Sequence, residues 1–127
     1  MSDDPRVRSS IEAYVAAWNE REPEARARLV ERACAEDFRL VTPGRCIRGR
    51  AAFDAFIADF QKRRPGDRAR LASVVEIHES TFRYLGVVES EGGGPAAETL
   101  DTGEHDADGR LLLVLTFAGA APPREPH

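Results

Sequence analysis

The chain has 127 residues, 42% of them hydrophobic and 31% charged, which is the composition of one globular domain. Its net charge of −4 argues against a nucleic-acid-binding protein, because such proteins usually carry a basic face. No apolar run approaches the roughly 20 residues that a membrane span needs, and the opening residues lack the apolar segment of a signal peptide. Cys34 and Cys46 have no metal-site spacing, so we expect reduced cysteines, a cytoplasmic location, and neither a metal nor a cofactor.

The first part of the chain predicts two helices. Asp4 followed by Pro5 is a capping acid before a proline at the first helical position, which predicts a helix over about 5–20. Its apolar residues recur at helical spacing and form one stripe: Val7, Ile11, Tyr14, Val15 and Trp18. Pro23 opens a second, shorter helix with Ala25, Leu29, Val30 and Ala33 inward. Its arginines alternate with acids and indicate a solvated face: Arg26, Arg28 and Arg32.

A short strand and a third helix follow. Phe38, Leu40 and Thr42 alternate on one side of a strand that Pro43–Gly44 ends. Gly49 precedes the third helix, whose apolar stripe is Phe53, Phe56, Ile57 and Phe60 and which ends near Arg64.

From residue 70 the apolar period becomes two, which predicts four strands in a meander. The first carries Leu71, Ser73, Val75 and Ile77, and the second carries Phe82, Tyr84, Gly86 and Val88. The third spans 96–105, and the last spans 110–118 after a turn over 106–109. Three helices segregated from an antiparallel sheet predict an α+β domain over 7–118, with flexible ends at 1–6 and 119–127.

The last strand, "LLLVLTF", is apolar on both faces and therefore predicts burial on both faces. One face carries Leu111, Leu113, Leu115 and Phe117, and the other carries Leu112, Val114 and Thr116. Only one face meets this chain's own helices. We therefore expect a homodimer through the outer sheet face; the alternative is that the C-terminal tail covers it.

Four phrases, in this order and spacing, resemble the nuclear-transport-factor-2-like superfamily, in its SnoaL-like and ketosteroid-isomerase-like branch. They are "YVAAWNERE", "AEDFRLVTPG", "IRGRAAFDAFIADFQ" and "TLDTGEHDADGRL". The resemblance covers about 7–118 and implies a cystatin-like cone, in which a curved sheet and three helices enclose a pocket. It does not imply one activity, because this fold hosts isomerases, cyclases, dehydratases and plain binding domains.

The resemblance also suggests roles for single residues. Ketosteroid isomerases hold an enolate oxygen with a tyrosine and a protonated aspartic acid, while a carboxylate base moves the proton. The oxygen-binding pair falls on Tyr14 and Asp101, but the base falls on Thr42, which cannot take a proton near neutral pH. Two supporting tyrosines of some family members fall on Cys34 and Ile57. Steroid isomerisation by that mechanism is therefore not expected.

The candidate site residues keep their alternatives. Asp101 either faces the pocket with Thr99, where burial would raise its pKa, or it faces solvent or pairs with Arg83. Tyr14 is a pocket donor or a core residue, and Gly86 leaves room for a ligand or marks a bend. His105 shares the face of Asp101 by strand parity and is either an acid–base group at the rim or without a role. His78 lies next to a turn, and the sequence assigns it no role. The expected pocket lining is Trp18, Leu40, Thr42, Phe56, Ile57, Phe60, Phe82, Tyr84, Gly86, Thr99, Val114 and Thr116.

Two function classes remain open from the sequence. The first is a cofactor-independent isomerase, cyclase or dehydratase that uses Asp101 and Tyr14 on a small apolar or aromatic molecule. The second is a non-catalytic ligand-binding or accessory domain, which the threonine at position 42 favours.

Overall fold

The computed structural model describes residues 4–93, 95–119 and 123–124. Three helices are present: α1 (Pro5–Asn19), α2 (Pro23–Ala33) and α3 (Arg50–Arg63). The strands are β1 (Cys34–Thr42), β2 (Arg45–Arg48), β3 (Arg68–Leu71), β4 (Glu76–His78), β5 (Thr81–Glu89), β6 (Pro95–His105) and β7 (Leu111–Ala118). The predicted α+β class is confirmed. The predicted flexible ends, 1–6 and 119–127, fall in large part outside the described residues.

The helices begin where the sequence predicts. The Asp4 carboxylate accepts a hydrogen bond from the Arg6 backbone N–H at 2.9 Å, and Pro5 is the first residue of α1. Glu22 caps α2 in the same way, accepting from the backbone N–H groups of Glu24 and Ala25. Each cap satisfies backbone donors that a helix leaves without a partner in its first turn.

The sheet is curved, unclosed and mostly antiparallel, in the order β2-β1-β7-β6-β5-β3, with β4 also on β5. β1 pairs with β7 in parallel, so the first strand of the chain lies inside the sheet, between β2 and the last strand, β7. β2 was not predicted; it forms a hairpin with β1 through Pro43–Gly44, where Gly44 has a φ of 78°.

The long strand predicted from residue 70 is instead two short strands, β3 and β4. Between them the Ser73 hydroxyl accepts the backbone N–H of Leu85 at 2.8 Å, a bond that a continuous strand would make with its backbone. Val75 and Ile77 are still buried, so the alternating pattern marks burial correctly although the ladder is interrupted.

The core lies between the helices and the concave face of the sheet. Its largest fully buried side chains include Phe38, Phe53, Leu40 and Ile57. The Tyr14 ring stacks on Phe53 with centroids 5.3 Å apart. None of the helices within the described residues is long and apolar enough to cross a membrane.

Arg26 corrects the interpretation of α2, because its side chain is buried rather than solvated. Its Nε donates to Asp54 at 2.6 Å, and its Nη1 donates to the Gln61 side-chain oxygen at 3.2 Å. Gln61 in turn donates to the backbone oxygens of Trp18 and Glu20. The network ties α2, α3 and the end of α1 together.

A bulge in β7 changes which leucines face outward. His105 pairs with Leu111 but Glu104 pairs with Leu113, so Leu112 is an extra residue. Leu111 is fully buried as a result, although the sequence placed it on the same face as Leu113. The outer face keeps Leu113, Leu115 and the half-exposed Phe117, while Val114 and Thr116 point into the cone.

Candidate functional site

The concave side of the sheet and helices α1 and α3 enclose a cavity of about 170 Å³ that opens to solvent. An apolar cavity of roughly 150 Å³ holds a benzene ring, so this one accommodates a single-ring body. Its lining is Tyr14, Val15, Trp18, Leu40, Thr42, Phe56, Phe60, Ala69, Arg70, Tyr84, Gly86, Val87, Val88, Thr99, Asp101 and Thr116.

Most of the residues expected at the lining are there, and three are not. Ile57 is fully buried in the core, because α3 turns it away from the cavity. Phe82 packs in the core over Gly103, with its ring 6.2 Å from that of Tyr84. Val114 is fully buried in the same core. These three expectations are corrected.

Aromatic side chains from α1 and α3 form one wall of the cavity. The Trp18 ring meets Phe56 and Phe60 edge-on, with centroid distances of 5.8 and 5.3 Å. The Arg45 guanidinium lies over the Phe56 ring, 5.0 Å from its centre. Such a wall favours a flat apolar or aromatic ligand.

Asp101 lies at the centre of a row of polar side chains that crosses the sheet. It pairs with Tyr84 on β5 and with Thr116 on β7. Thr42 lies beside Thr116, because both follow the paired residues Val41 and Leu115. The Asp101 side chain is 7% exposed and lines the cavity. Asp101 therefore does not face solvent. It does not pair with Arg83 either, because Arg83 pairs with Glu76 at 2.8 Å. Both alternatives for Asp101 are wrong.

Burial raises the pKa of the Asp101 carboxyl, and the hydroxyl groups of Tyr84, Thr116 and Thr99 offset part of this rise. Asp101 Oδ1 itself makes no hydrogen bond to any of the described residues. A buried carboxyl group without a positive neighbour favours its neutral form, which carries one O–H donor. The site therefore holds a proton donor that faces an empty apolar space.

Two tyrosines accompany Asp101 in the lining. Tyr84 Oη is also buried without a hydrogen-bond partner among the described residues. Burial, and then the Asp101 carboxyl, raise the pKa of both Tyr84 and Tyr14 well above the usual value, so both stay protonated donors. The sequence paired Tyr14 with Asp101, whereas the direct cross-strand neighbour of Asp101 is Tyr84, which was expected only as lining.

Thr42 lines the cavity at the position that the family resemblance gives to a base. Among the described lining residues Asp101 is the one carboxyl group, and no histidine lies there. Cys34, at the position of a supporting tyrosine, is fully buried, and burial raises the pKa of its thiol to about 12. The arrangement can donate protons to a ligand oxygen, but it offers no separate group that accepts one.

Neither His78 nor His105 lines this cavity. The two ring nitrogens of His105 lie 2.8 Å from the Asp106 carbonyl and 3.0 Å from the Glu79 carbonyl, so the ring links two turns. His105 is the last residue of β6, and the residues of β6 that line the cavity are Thr99 and Asp101. His78 is exposed on β4.

Gly86 lines the cavity opposite Thr99, its partner on β6. A Cβ atom at Gly86 would lie 2.9 Å from the Thr99 hydroxyl, so glycine preserves the space there. Among the described residues, no group of three or more histidine, cysteine, aspartate and glutamate side chains is arranged to hold a metal ion.

Five lining residues were missed by the sequence analysis: Val15, Ala69, Arg70, Val87 and Val88. Val15 was assigned to the helix stripe, and Val88 to the face of Tyr84, so a signal for these two was present. Ala69 and Arg70 precede Leu71, the first residue assigned to the alternating pattern. Val87 has the wrong parity for a regular strand, and β5 is irregular between Val88 and Glu89.

Comparisons of the whole chain give structural rather than sequence matches. No family model matches the sequence, and no curated protein matches it. A solved structure of a proposed isomerase of the SnoaL-like family from Agrobacterium tumefaciens is similar, with a TM-score of 0.83 and 29% identity, over 92% of this chain and 100% of that one.

Two further solved structures share the fold at lower identity. A protein of unknown function with a cystatin-like fold from Methylobium petroleophilum has a TM-score of 0.75 and 14% identity, over 97% of this chain and 81% of its own. A proposed SnoaL-like polyketide cyclase from Jannaschia has a TM-score of 0.68 and 12% identity, over 93% and 90%. These two support the cone fold, and the superfamily resemblance inferred from the four phrases is confirmed.

Proposed function

The chain is similar in structure to proteins of the SnoaL-like, NTF2-like superfamily, and on that premise we propose that its cavity binds a small apolar organic molecule through an oxygen atom. Protonated Asp101 donates one hydrogen bond to that oxygen, and Tyr84 donates a second. The single observation that carries the proposal is the buried Asp101 Oδ1, which faces an apolar cavity and has no partner in the part of the chain that the structure describes. A buried polar group without a partner costs free energy, and a ligand oxygen would remove that cost.

The chemistry that suits this arrangement is cofactor-independent and acid-assisted. A donor on a carbonyl oxygen stabilises the negative charge that develops when a neighbouring C–H bond gives its proton to water, which reaches the ligand through the open side of the cavity. Isomerisation, ring closure and loss of water all pass through such a state. Proposed isomerases and polyketide cyclases among the similar structures support this class.

A non-catalytic ligand-binding domain is the second candidate, and Thr42 supports it. Without a base near the ligand, the cavity would polarise a carbonyl compound but not move its proton. Exchange of the methyl protons of acetophenone in heavy water, followed by NMR, separates the two. If the wild type accelerates this exchange and Asp101→Leu does not, the protein is an enzyme. If the wild type binds acetophenone without accelerating the exchange, it is a binding domain.

The binding itself is tested with two probes of nearly equal shape. Acetophenone carries a carbonyl oxygen where α-methylstyrene carries a methylene group. Trp18 is the only tryptophan of the chain and lines the cavity, so its fluorescence reports occupancy directly. We expect the wild type to bind acetophenone about tenfold more tightly, the usual effect of one or two hydrogen bonds in a dry site.

Asp101→Leu should remove this preference and leave the affinity for α-methylstyrene unchanged. The matched control is Glu104→Leu, which removes an acid from the exposed side of the same strand and should keep the preference. Circular dichroism of Asp101→Leu and of the closer mimic Asp101→Asn checks that both fold. Equal binding of the two probes by the wild type contradicts the proposal.

We also propose that the protein is a cytoplasmic homodimer that pairs through the outer sheet face. Leu113, Leu115 and Phe117 lie on that face of β7, and Leu100 and Leu85 continue the row from Phe117 across β6 and β5. Leu85 and Phe117 are 48% and 53% exposed, which is unusual for large apolar side chains in one patch. The tail that would cover this face instead lies mostly outside the described residues.

A further inference from the structure

Arg45 lies at the edge of the cavity and on its inner side. It is the β2 partner of Thr42, a lining residue, and residues directly opposite each other on antiparallel strands share a face. Its guanidinium rests on Phe56, which also lines the cavity, 5.0 Å from the ring centre. A guanidinium that stacks on a ring keeps its in-plane N–H donors free for another group.

Arg70, the one cation among the described lining residues, is already engaged. Its Nε lies 2.9 Å from one Glu89 carboxylate oxygen, and its Nη2 lies 3.4 Å from the other. Across the described ranges, by contrast, no ion pair involves Arg45. Arg45 is therefore the cation at this cavity that has donors available for a ligand.

Among the described residues, the interior of the cavity offers no unpaired cation to an anion. The polar groups near its centre are hydroxyls and the neutral Asp101 carboxyl, so a ligand carboxylate there would lack a charged partner and be poorly solvated. A charged group on the ligand must therefore point toward the edge at Arg45.

The sheet register fixes the spacing between the two ends. Arg45, Thr42, Thr116 and Asp101 lie on four neighbouring strands, β2, β1, β7 and β6. Three strand spacings separate the first from the last, which is about 14 Å between backbones. After both side chains reach inward, a single ring with substituents at opposite ends spans what remains.

We propose that the ligand carries a carboxylate at the end opposite its carbonyl oxygen, and that Arg45 binds this carboxylate as a specificity-determining residue. This inference rests on the proposed function, since the ligand must first occupy the cavity. The ligand class is thus a flat, single-ring oxo acid. The carbonyl group contacts Asp101 and Tyr84, the ring packs on Trp18 and Phe56, and the carboxylate remains near solvent.

Para-acetylbenzoate and para-methylacetophenone test this inference, because they differ only in a carboxylate or a methyl group opposite the acetyl group. Trp18 fluorescence titrations give both affinities. We expect the wild type to bind para-acetylbenzoate about tenfold more tightly, the typical effect of a charge-assisted pair at a partly exposed site. The preference should weaken as salt is added, since the site is open to solvent.

Arg45→Gln should abolish the preference without changing the affinity for para-methylacetophenone. Arg48→Gln is the matched control, because it removes the same charge from the exposed end of the same strand, and it should keep the preference. A preference that persists in Arg45→Gln, an equal loss for both probes, or no preference in the wild type overturns the inference while para-methylacetophenone still binds. If neither probe binds, the proposed function fails, and this inference fails with it.

Discussion

Asp101 and Tyr84 are direct partners across β6 and β5, and each has a buried oxygen at the same cavity for which the described residues supply no hydrogen-bond partner. Two such atoms side by side are uncommon, because folded proteins satisfy nearly all their buried polar groups. The two atoms destabilise the ligand-free protein, because they are buried without hydrogen bonds. A ligand oxygen that bonds to both would remove this cost. This relationship gives expectations for stability as well as for binding.

The first expectation concerns the pH dependence of stability. Burial raises the pKa of Asp101 in the folded state above the value in the unfolded chain. Between these two values the folded state binds more protons, so the free energy of unfolding falls as pH rises through this window. Asp101→Asn stays neutral and should lack this fall.

Chemical denaturation of the wild type and Asp101→Asn at a series of pH values measures the difference. We expect the variant to match the wild type at acid pH and to be the more stable protein above the window. Glu104→Gln, exposed on the same strand, is the control and should follow the wild type. A wild type that gains stability over Asp101→Asn as pH rises would mean that the folded protein stabilises the ionised carboxylate.

The second expectation separates the two tyrosines. Tyr84→Phe removes a buried hydroxyl that has no partner, so the free energy of unfolding should stay equal or rise by up to about 1 kcal/mol. In Tyr14→Phe the free energy of unfolding should instead fall by up to about 1 kcal/mol, because Tyr14 Oη is not among the buried oxygens that lack a partner within the described residues. Only Tyr84→Phe should also weaken the binding of acetophenone more than the binding of α-methylstyrene. The reverse assignment would make Tyr14 the donor beside Asp101.

The third expectation concerns the outer sheet face. Phe117→Glu places a charge in the apolar patch and should convert a dimer into a monomer, because an unpaired charge cannot be buried in an interface. Ala52→Glu, on an exposed position of α3, is the control and should stay dimeric. Sedimentation velocity at micromolar concentration distinguishes the states. A wild type that already sediments as a monomer contradicts the dimer proposal.

The fourth expectation concerns the buried arginine. Arg26→Ala leaves Asp54 and Gln61 without their partner and should lower the free energy of unfolding by about 3 kcal/mol, as for other partly buried ion pairs. Arg28→Ala, exposed on the same helix, should change it by less than about 0.5 kcal/mol. Urea denaturation measures both. Similar small losses would mean that solvent replaces the network without cost.

How much the sequence predicted depends on the range of the interactions involved. The helix starts at Pro5 and Pro23 depend on neighbouring residues, and both were predicted. Burial of Arg26 depends on Asp54 and Gln61, 28 and 35 positions away, so α2 alone gave the wrong face. The row that joins Thr42 to Asp101 depends on parallel pairing of β1 with β7, which no local pattern indicates.

The site shows the same limit. Alternation placed Asp101, Thr99 and Gly86 correctly on one face, because period two is a local property of a strand. It misplaced Leu111, since the bulge at Leu112 shifts parity along β7 and its position depends on the partner strand. Phe82 was placed at the lining although Gly103, on the neighbouring strand, gives its ring room in the core.

The last expectation follows from that close approach. A Cβ atom at Gly103 would overlap the Leu113 carbonyl oxygen and lie 2.7 Å from Phe82 Cζ. The carbonyl belongs to the backbone of β7 and cannot move without breaking the sheet. Gly103→Ala should therefore lower the free energy of unfolding by at least about 3 kcal/mol, the upper range for overpacking.

Gly86→Ala is the matched comparison, because its Cβ would meet only the Thr99 hydroxyl, at 2.9 Å, and that side chain can rotate. We expect Gly86→Ala to lower the free energy of unfolding by about 1 kcal/mol. It should also weaken the binding of ring compounds, because the added methyl group narrows the cavity. Adding Phe82→Leu to Gly103→Ala should recover only part of the loss, since the contact with the Leu113 oxygen remains. Full recovery, measured by thermal and urea denaturation, would mean that the Phe82 ring alone requires glycine there.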